Sequence, residues 1–119
     1  MMEVVLLSND LMVVSRASGA AAASGAVLRA AANATAATAL LSERAAELVV
    51  IDLGLPALEL ESLISVIKAD PNHSARVIAF GPHVHADRLA AARSAGCDAV
   101  LSRGQFFAQA DSLLSGAAQ

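Results

Sequence analysis

The sequence has no tryptophan or tyrosine and only three phenylalanines. It therefore offers no platform on which nucleic-acid bases could stack, and nothing to clamp a flavin ring. Cysteine is nearly missing as well. Cys97 stands alone, which rules out an intrachain disulfide and suits a reducing compartment. Basic charge is scarce: eight Lys and Arg against eleven Asp and Glu leave a net charge of −3. The basic residues are scattered, whereas a nucleic-acid footprint is a basic patch, so no nucleic-acid partner is expected. Long apolar runs are absent. The uncharged stretch between Arg16 and Arg29 is too short, and too rich in Ala, Gly and Ser, to span a bilayer. Glu3 and Asp10 interrupt the first apolar stretch and no basic segment precedes it, so no secretory leader and no membrane partner are expected.

What is present is apolar bulk. The 119 residues are 56% hydrophobic and 16% charged, which is the composition of a globular chain with a real core, read here as one domain over residues 1–119. Val4-Val5-Leu6-Leu7 is a short continuous apolar run, the pattern of a strand buried on both faces. Ser8-Asn9-Asp10 then turns the chain, and Asp10 is a suitable N-cap for a helix over about 11–24, stopped by Gly25. A weaker, Ala-rich strand is expected over 26–30. A second helix is expected over 33–47, with Leu40 and Leu41 facing inward. Leu48-Val49-Val50-Ile51-Asp52 is a third strand that ends in a carboxylate. Leu60, Leu63, Ile64 and Ile67 set the inner face of a helix over 57–69, ended by Asp70-Pro71-Asn72. A fourth strand follows over 76–80 and is broken at Gly81-Pro82. A helix over 86–95 stops at Gly96, and a fifth strand covers 99–101. The last helix, over 105–115, turns Phe106, Ala110, Leu113 and Leu114 inward.

Strands alternating with helices imply a parallel sheet covered by helices on both faces, an α/β three-layer sandwich. In such sheets ligands and chemistry gather at the carboxyl ends of the strands. That rule singles out Asp52 at the tip of a strand apolar along its whole length.

Four stretches carry a resemblance to a known family: EVVLLSND, VVIDLGLP, RVIAFGP and RSAGCDAVLSRGQF. In this order and spacing they resemble the receiver domain of two-component response regulators, over essentially the whole chain. The resemblance implies a (βα)5 CheY-like fold with strand order 2-1-3-4-5. It also implies a five-part phosphorylation site. Two acidic residues hold Mg²⁺, an Asp attacks phosphorus, a Thr or Ser reads the phosphoryl group, and a Lys pairs with it. Here the acidic pair falls on Ser8 and Asn9, the nucleophile on Asp52, the hydroxyl on Gly81 and the Lys on Arg103. An aromatic switch residue of the family falls on Val100. Shifting the match by one residue would put Asp10 in the acidic pair; its role as a helix cap is the preferred reading.

Only the nucleophile survives intact, and Arg103 keeps charge alone. Mg²⁺ prefers carboxylate oxygens and water, so a depleted shell should hold it weakly, and no resident cofactor is expected. Without the metal, charge building on a transferring phosphoryl group is poorly compensated. A guanidinium can hold a carboxylate without metal, so an Asp52–Arg103 ion pair is expected to freeze the pocket. The reading is a degenerate receiver, not an enzyme, that binds a protein partner or a second copy of itself in bacterial cytoplasmic signalling. The resemblance places the partner face on the fourth helix, fifth strand and last helix, at Arg88, Ala92, Arg93, Val100, Gln109 and Ser112. The alternatives are a working phosphoacceptor at Asp52, fed by a histidine kinase, and a flavodoxin-like small-ligand binder. His83, His85 and Asp87 fall short of a metal pattern for want of further ligands. Cys97 is read as a small buried hydrophobe.

Overall fold

The computed structural model describes residues 2–56, 58–69 and 75–115. Strands and helices alternate: β1 (Glu3–Leu7), α1 (Leu11–Ser24), β2 (Val27–Ala31), α2 (Ala34–Glu43), β3 (Leu48–Asp52), α3 (Leu60–Ala69), β4 (Arg76–Gly81), α4 (Ala86–Ala95), β5 (Ala99–Ser102) and α5 (Arg103–Ser115). The five strands form one parallel sheet in the order β2-β1-β3-β4-β5, which is the expected architecture. The expected helix start at Ala57 and the stop at Asp70-Pro71-Asn72 lie outside the described residues.

The continuous apolar runs are explained by the layering. β1, β3 and β4 are the three central strands, and their side chains alternate between two buried faces. Val5, Leu7, Val49, Ile51 and Val77 pack beneath α2, α3 and α4. Val4, Leu6, Val50, Ile78 and Phe80 pack beneath α1 and α5. On that second face Phe80 of β4 stacks on Phe106 of α5, with ring centroids 4.3 Å apart and planes 7° from parallel. The edge strands are less buried. This explains the Arg29 in β2, whose strand pattern reads weakly in sequence.

The helix ends follow their capping residues. Asp10 is extended at φ −91° and accepts a hydrogen bond from the Met12 N–H, so α1 begins where a short polar residue can serve it. Gly25 and Gly96 close α1 and α4 at φ 75° and 107°, a left-handed geometry that L side chains resist. Two boundaries differ from expectation. α2 ends at Glu43, four residues short of the expected 47. Arg29 donates to the Leu40 and Arg44 carbonyls there, and Ala46 leaves the helix to become buried. α5 begins at Arg103, two residues early, because Ser102 and Gln105 form a reciprocal capping box. Ser102 N–H donates to Gln105 Oε1 (2.8 Å), and Gln105 N–H donates to Ser102 Oγ (3.1 Å).

Candidate functional site

β1, β3 and β4 run side by side in register, so their carboxyl ends bring together Ser8, Asp52 and Gly81. Asp52 is 4% exposed and Ser8 3% exposed, and these are the buried polar residues of the described chain. A buried carboxylate needs donors, and here they are neutral and internal. Ser8 Oγ donates to Asp52 Oδ2 at 2.7 Å, and the Gly54 N–H donates to Asp52 Oδ1 at 2.8 Å. Ser8 Oγ in turn accepts the Asp10 N–H at 3.1 Å. A chain of donors therefore runs from the N-cap of α1 through the serine hydroxyl to the carboxylate. Gly54 is close-fitting as well: a Cβ on it would lie 3.0 Å from Asp52 Oδ1.

The expected ion pair between Asp52 and Arg103 does not form. Arg103 Nη2 donates to Asp10 Oδ2 at 2.9 Å instead, and its guanidinium carbon sits 5.1 Å from the centroid of the Phe107 ring. The physical reason lies at the two helix starts. Arg103 is the first residue of α5 and Asp10 caps α1, and these two helices pack together on one face of the sheet. The nearest exposed carboxylate is therefore on the neighbouring helix cap, while Asp52 is shut beneath. Asp10 performs both duties at once, with Oδ1 on the Met12 N–H (2.9 Å) and Oδ2 on Arg103. The Arg103 hydrogen bond first, and the Met12 N–H second, hold the Asp10 carboxyl below the usual carboxylate range.

These commitments decide how well the site suits Mg²⁺. Each side-chain oxygen of Asp52 and of Asp10 already accepts an internal hydrogen bond. Asn9 is exposed at the rim. Among the described residues no group of three or more His, Cys, Asp and Glu could hold a metal ion. A hard cation seeking two carboxylates would share the Asp52 oxygens with the Ser8 hydroxyl and the Gly54 N–H, and would compete with the Arg103 guanidinium for Asp10. The donor set does not fit a carboxylate-held Mg²⁺.

Gly81 shows a further departure. It is buried, and a Cβ there would lie 3.3 Å from Leu53 Cβ, with Leu89 Cδ2 at 3.7 Å. The space that a threonine or serine side chain would need is filled by Leu53, which is 7% exposed. Leu53 is fixed by its N–H donating to the Phe80 carbonyl (2.9 Å) and by Arg88 Nη1 donating to its own carbonyl (3.3 Å). Sequence reasoning passed over Leu53, although a bulky residue beside the strand-ending Asp together with Gly81 is a size-compensating pair. It also missed the Ser102-x-x-Gln105 capping box, which is visible in the sequence.

The residues assigned to the partner face are not all available. Arg93, Gln109 and Ser112 are exposed, and Arg88 is exposed while touching Leu53. Val100 is half-buried against the core. Ala92 is not part of that face: it is 0% exposed, because it lies one helical turn after Leu89 on the side of α4 that covers the sheet. His83 and His85 are exposed in the turn before α4. Cys97 is half-buried, and its burial together with the neighbouring Asp98 carboxylate pushes the thiol up to about 11, which makes it a poor nucleophile near neutral pH.

No family model matches this sequence, and no curated protein matches it. Solved structures do. CheY4, a chemotaxis response regulator of Vibrio cholerae, is similar at TM-score 0.79 and 10% identity, over 96% of this chain and 98% of that one. The phosphorylated cyanobacterial phytochrome response regulator RcpA is similar at TM-score 0.77 and 16% identity, over 98% of this chain and 90% of that one. The signal receiver domain of an HD domain-containing protein from Pseudomonas fluorescens is similar at TM-score 0.75 and 21% identity, over 98% and 91%. The chain has the response-regulator receiver fold. Identities this low speak for the fold, and the function has to be argued from the site.

Proposed function

We propose that this chain is a degenerate receiver that works by binding a protein partner, without phosphorylation and without Mg²⁺. The observation that carries this reading is that Asp52 is buried and engaged by neutral internal donors. Its two oxygens accept hydrogen bonds from Ser8 and Gly54, and among the described residues no cation pairs with them. Phosphoryl transfer to a carboxylate relies on a metal and fixed cations to balance charge on the equatorial oxygens. Here the Arg103 guanidinium is held by Asp10, that of Arg88 is on the Leu53 carbonyl, and Leu53 occupies the room beside Gly81. Asp52 then serves as an anchor that orders the turn after β3. The exposed side chains of Arg88, Arg93, Gln109 and Ser112, on α4 and α5, offer the surface for a partner in signalling.

The test is intact mass after incubation with acetyl phosphate and Mg²⁺, beside an ordinary receiver as positive control and Asp52→Asn as negative control. The expected result is no adduct on this chain. One phosphoryl adduct that disappears in Asp52→Asn would overturn the proposal and make Asp52 a working phosphoacceptor.

A further inference from the structure

Among the described residues the large apolar residues left most exposed are Leu11 (84%), Val84 (72%), Met12 (71%) and Val66 (53%). Val66 and Val84 stand singly, as scattered surface apolar residues commonly do. Leu11 and Met12 are different, being consecutive in the first turn of α1. With Phe107 of α5, Ser15 and Arg16 they line a shallow cavity of about 420 Å³. This surface forms because the Asp10 cap fixes where α1 starts, and so which side of the helix its first two residues occupy. Val13 and Ala17 go into the core, and Leu11 and Met12 are carried outward.

Charge frames this patch at both ends. At one end the Arg103–Asp10 bridge sits beside Phe107, with the guanidinium over its ring. At the other, Arg16 Nη1 meets Asp111 Oδ1 at 3.2 Å, and Arg16 Nη2 donates to the Phe107 carbonyl at 3.1 Å. Each end thus carries one guanidinium and one carboxylate. A rim with this balance does not select an acidic or a basic peptide, and it gives no surplus positive charge toward an anionic membrane surface. It is, however, complementary to itself. A two-fold axis through Leu11, Met12 and Phe107 would bring the Arg103–Asp10 end of one copy over the Arg16–Asp111 end of the other. Each guanidinium would then face a carboxylate of the other copy, and the apolar centres would cover each other, as an isologous interface requires.

We propose that the α1–α5 surface centred on Leu11, Met12 and Phe107 is the contact through which two copies of this chain associate. It leaves the α4 and α5 residues named above free for another partner, and it does not depend on whether Asp52 accepts phosphate. The apolar centre is small, so the association is weak and concentration-dependent.

Sedimentation velocity on the intact chain from about 10 µM to about 1 mM tests this, since dissociation constants in that span characterise weak complexes. Three proteins are compared: wild type, Leu11→Glu/Met12→Glu, and Arg93→Glu/Gln109→Glu. The first pair adds acids in the first turn of a helix, where they are tolerated, and an unchanged circular dichroism spectrum and melting point confirm the fold. The expected result is a monomer–dimer shift in wild type and in Arg93→Glu/Gln109→Glu, with Leu11→Glu/Met12→Glu at least tenfold weaker or monomeric. A wild type that stays monomeric at the top concentration overturns the proposal. So does a dimer that survives Leu11→Glu/Met12→Glu and disappears in Arg93→Glu/Gln109→Glu. If wild type stays monomeric and the patch is needed only for binding a different protein, self-association is likewise refuted.

Discussion

Two aspartates stand at the same end of the sheet and are handled in opposite ways. Asp52, inside the pocket, is 4% exposed and meets no cation among the described residues; a hydroxyl and a backbone amide satisfy it. Asp10, at the rim, is about one-third exposed (36%) and holds the guanidinium of Arg103. The cation has gone to the carboxylate where water already screens the charge. The buried carboxylate has been left to dipoles. Screening makes the rim pair weak, whereas hydrogen bonds to a buried charged group are strong, and removing one partner there is expensive. The pocket should therefore be sensitive to the loss of a neutral group, and the rim insensitive to the loss of a charged one. That inverts the usual expectation that charges matter most.

The largest break in this comparison should come from Ser8→Ala. It removes a neutral hydroxyl, leaves Asp52 Oδ2 without a donor and leaves the Asp10 N–H without an acceptor. The expected destabilisation is about 3 kcal/mol, the upper range for a hydrogen bond to a buried charged group. This would appear as a fall in melting midpoint of roughly 10 °C for a domain of this size. A double-mutant cycle locates the cause. In an Asp52→Ala background the same Ser8→Ala change should cost less than half as much. Equal cost in both backgrounds would mean that the Ser8–Asp52 bond is not what stabilises the pocket.

A smaller effect is expected from refilling the pocket. Gly81→Thr places a Cβ 3.3 Å from Leu53 Cβ, and overpacking of this kind costs about 2 kcal/mol. Leu53→Ala alone removes buried apolar volume and is destabilising for the opposite reason. The double variant Gly81→Thr/Leu53→Ala should lose clearly less stability in urea unfolding than the sum of the two single losses, because Leu53→Ala vacates the space that Gly81→Thr fills. Strict additivity would show that Leu53 does not occupy the space a side chain at 81 needs.

Most of the frame that presents this pocket could be read in advance. Leu48-Val49-Val50-Ile51 is too apolar for anything but a strand covered on both faces, and the 63, 64, 67 spacing in α3 fixes its buried side. Asp10, Gly25 and Gly96 mark helix ends because their chemistry is local. The site was less legible because its decisive contacts are not local. Ser8 and Asp52 are 44 positions apart, and Arg103 and Asp10 are 93 apart. Sequence shows that Arg103 carries a charge, but which carboxylate it meets depends on how α1 and α5 cross the sheet. The same holds for Ala92, whose place on α4 looks like surface until the helix is set against β4. The S-x-x-Q box at Ser102 is the exception, a local signal that fixes the start of α5 from residues three apart.

The smallest expected effect belongs to the rim, and Asp10→Asn isolates it. Asn and Asp cap helices about equally well, so this change keeps the start of α1 and removes only the charge facing Arg103. Asp10 has a carboxyl held below its ordinary value of 3.8, first by the Arg103 hydrogen bond and then by the Met12 N–H. A depressed folded-state value means that the unfolded chain takes up the proton first as pH falls. The bridge therefore contributes its full stability above the ordinary aspartate value, and loses it as pH drops through the lowered folded value. Wild type should exceed Asp10→Asn in melting midpoint by a small, constant margin between about pH 5 and pH 8, narrowing below about pH 4. The margin should also shrink in about 1 M salt, where the screening length falls to about 3 Å. Paired melting curves across pH and salt measure it. A margin at pH 7 as large as that of Ser8→Ala would mean that the rim pair, not the buried dipoles, holds this end of the sheet, and the contrast between the two aspartates would fail.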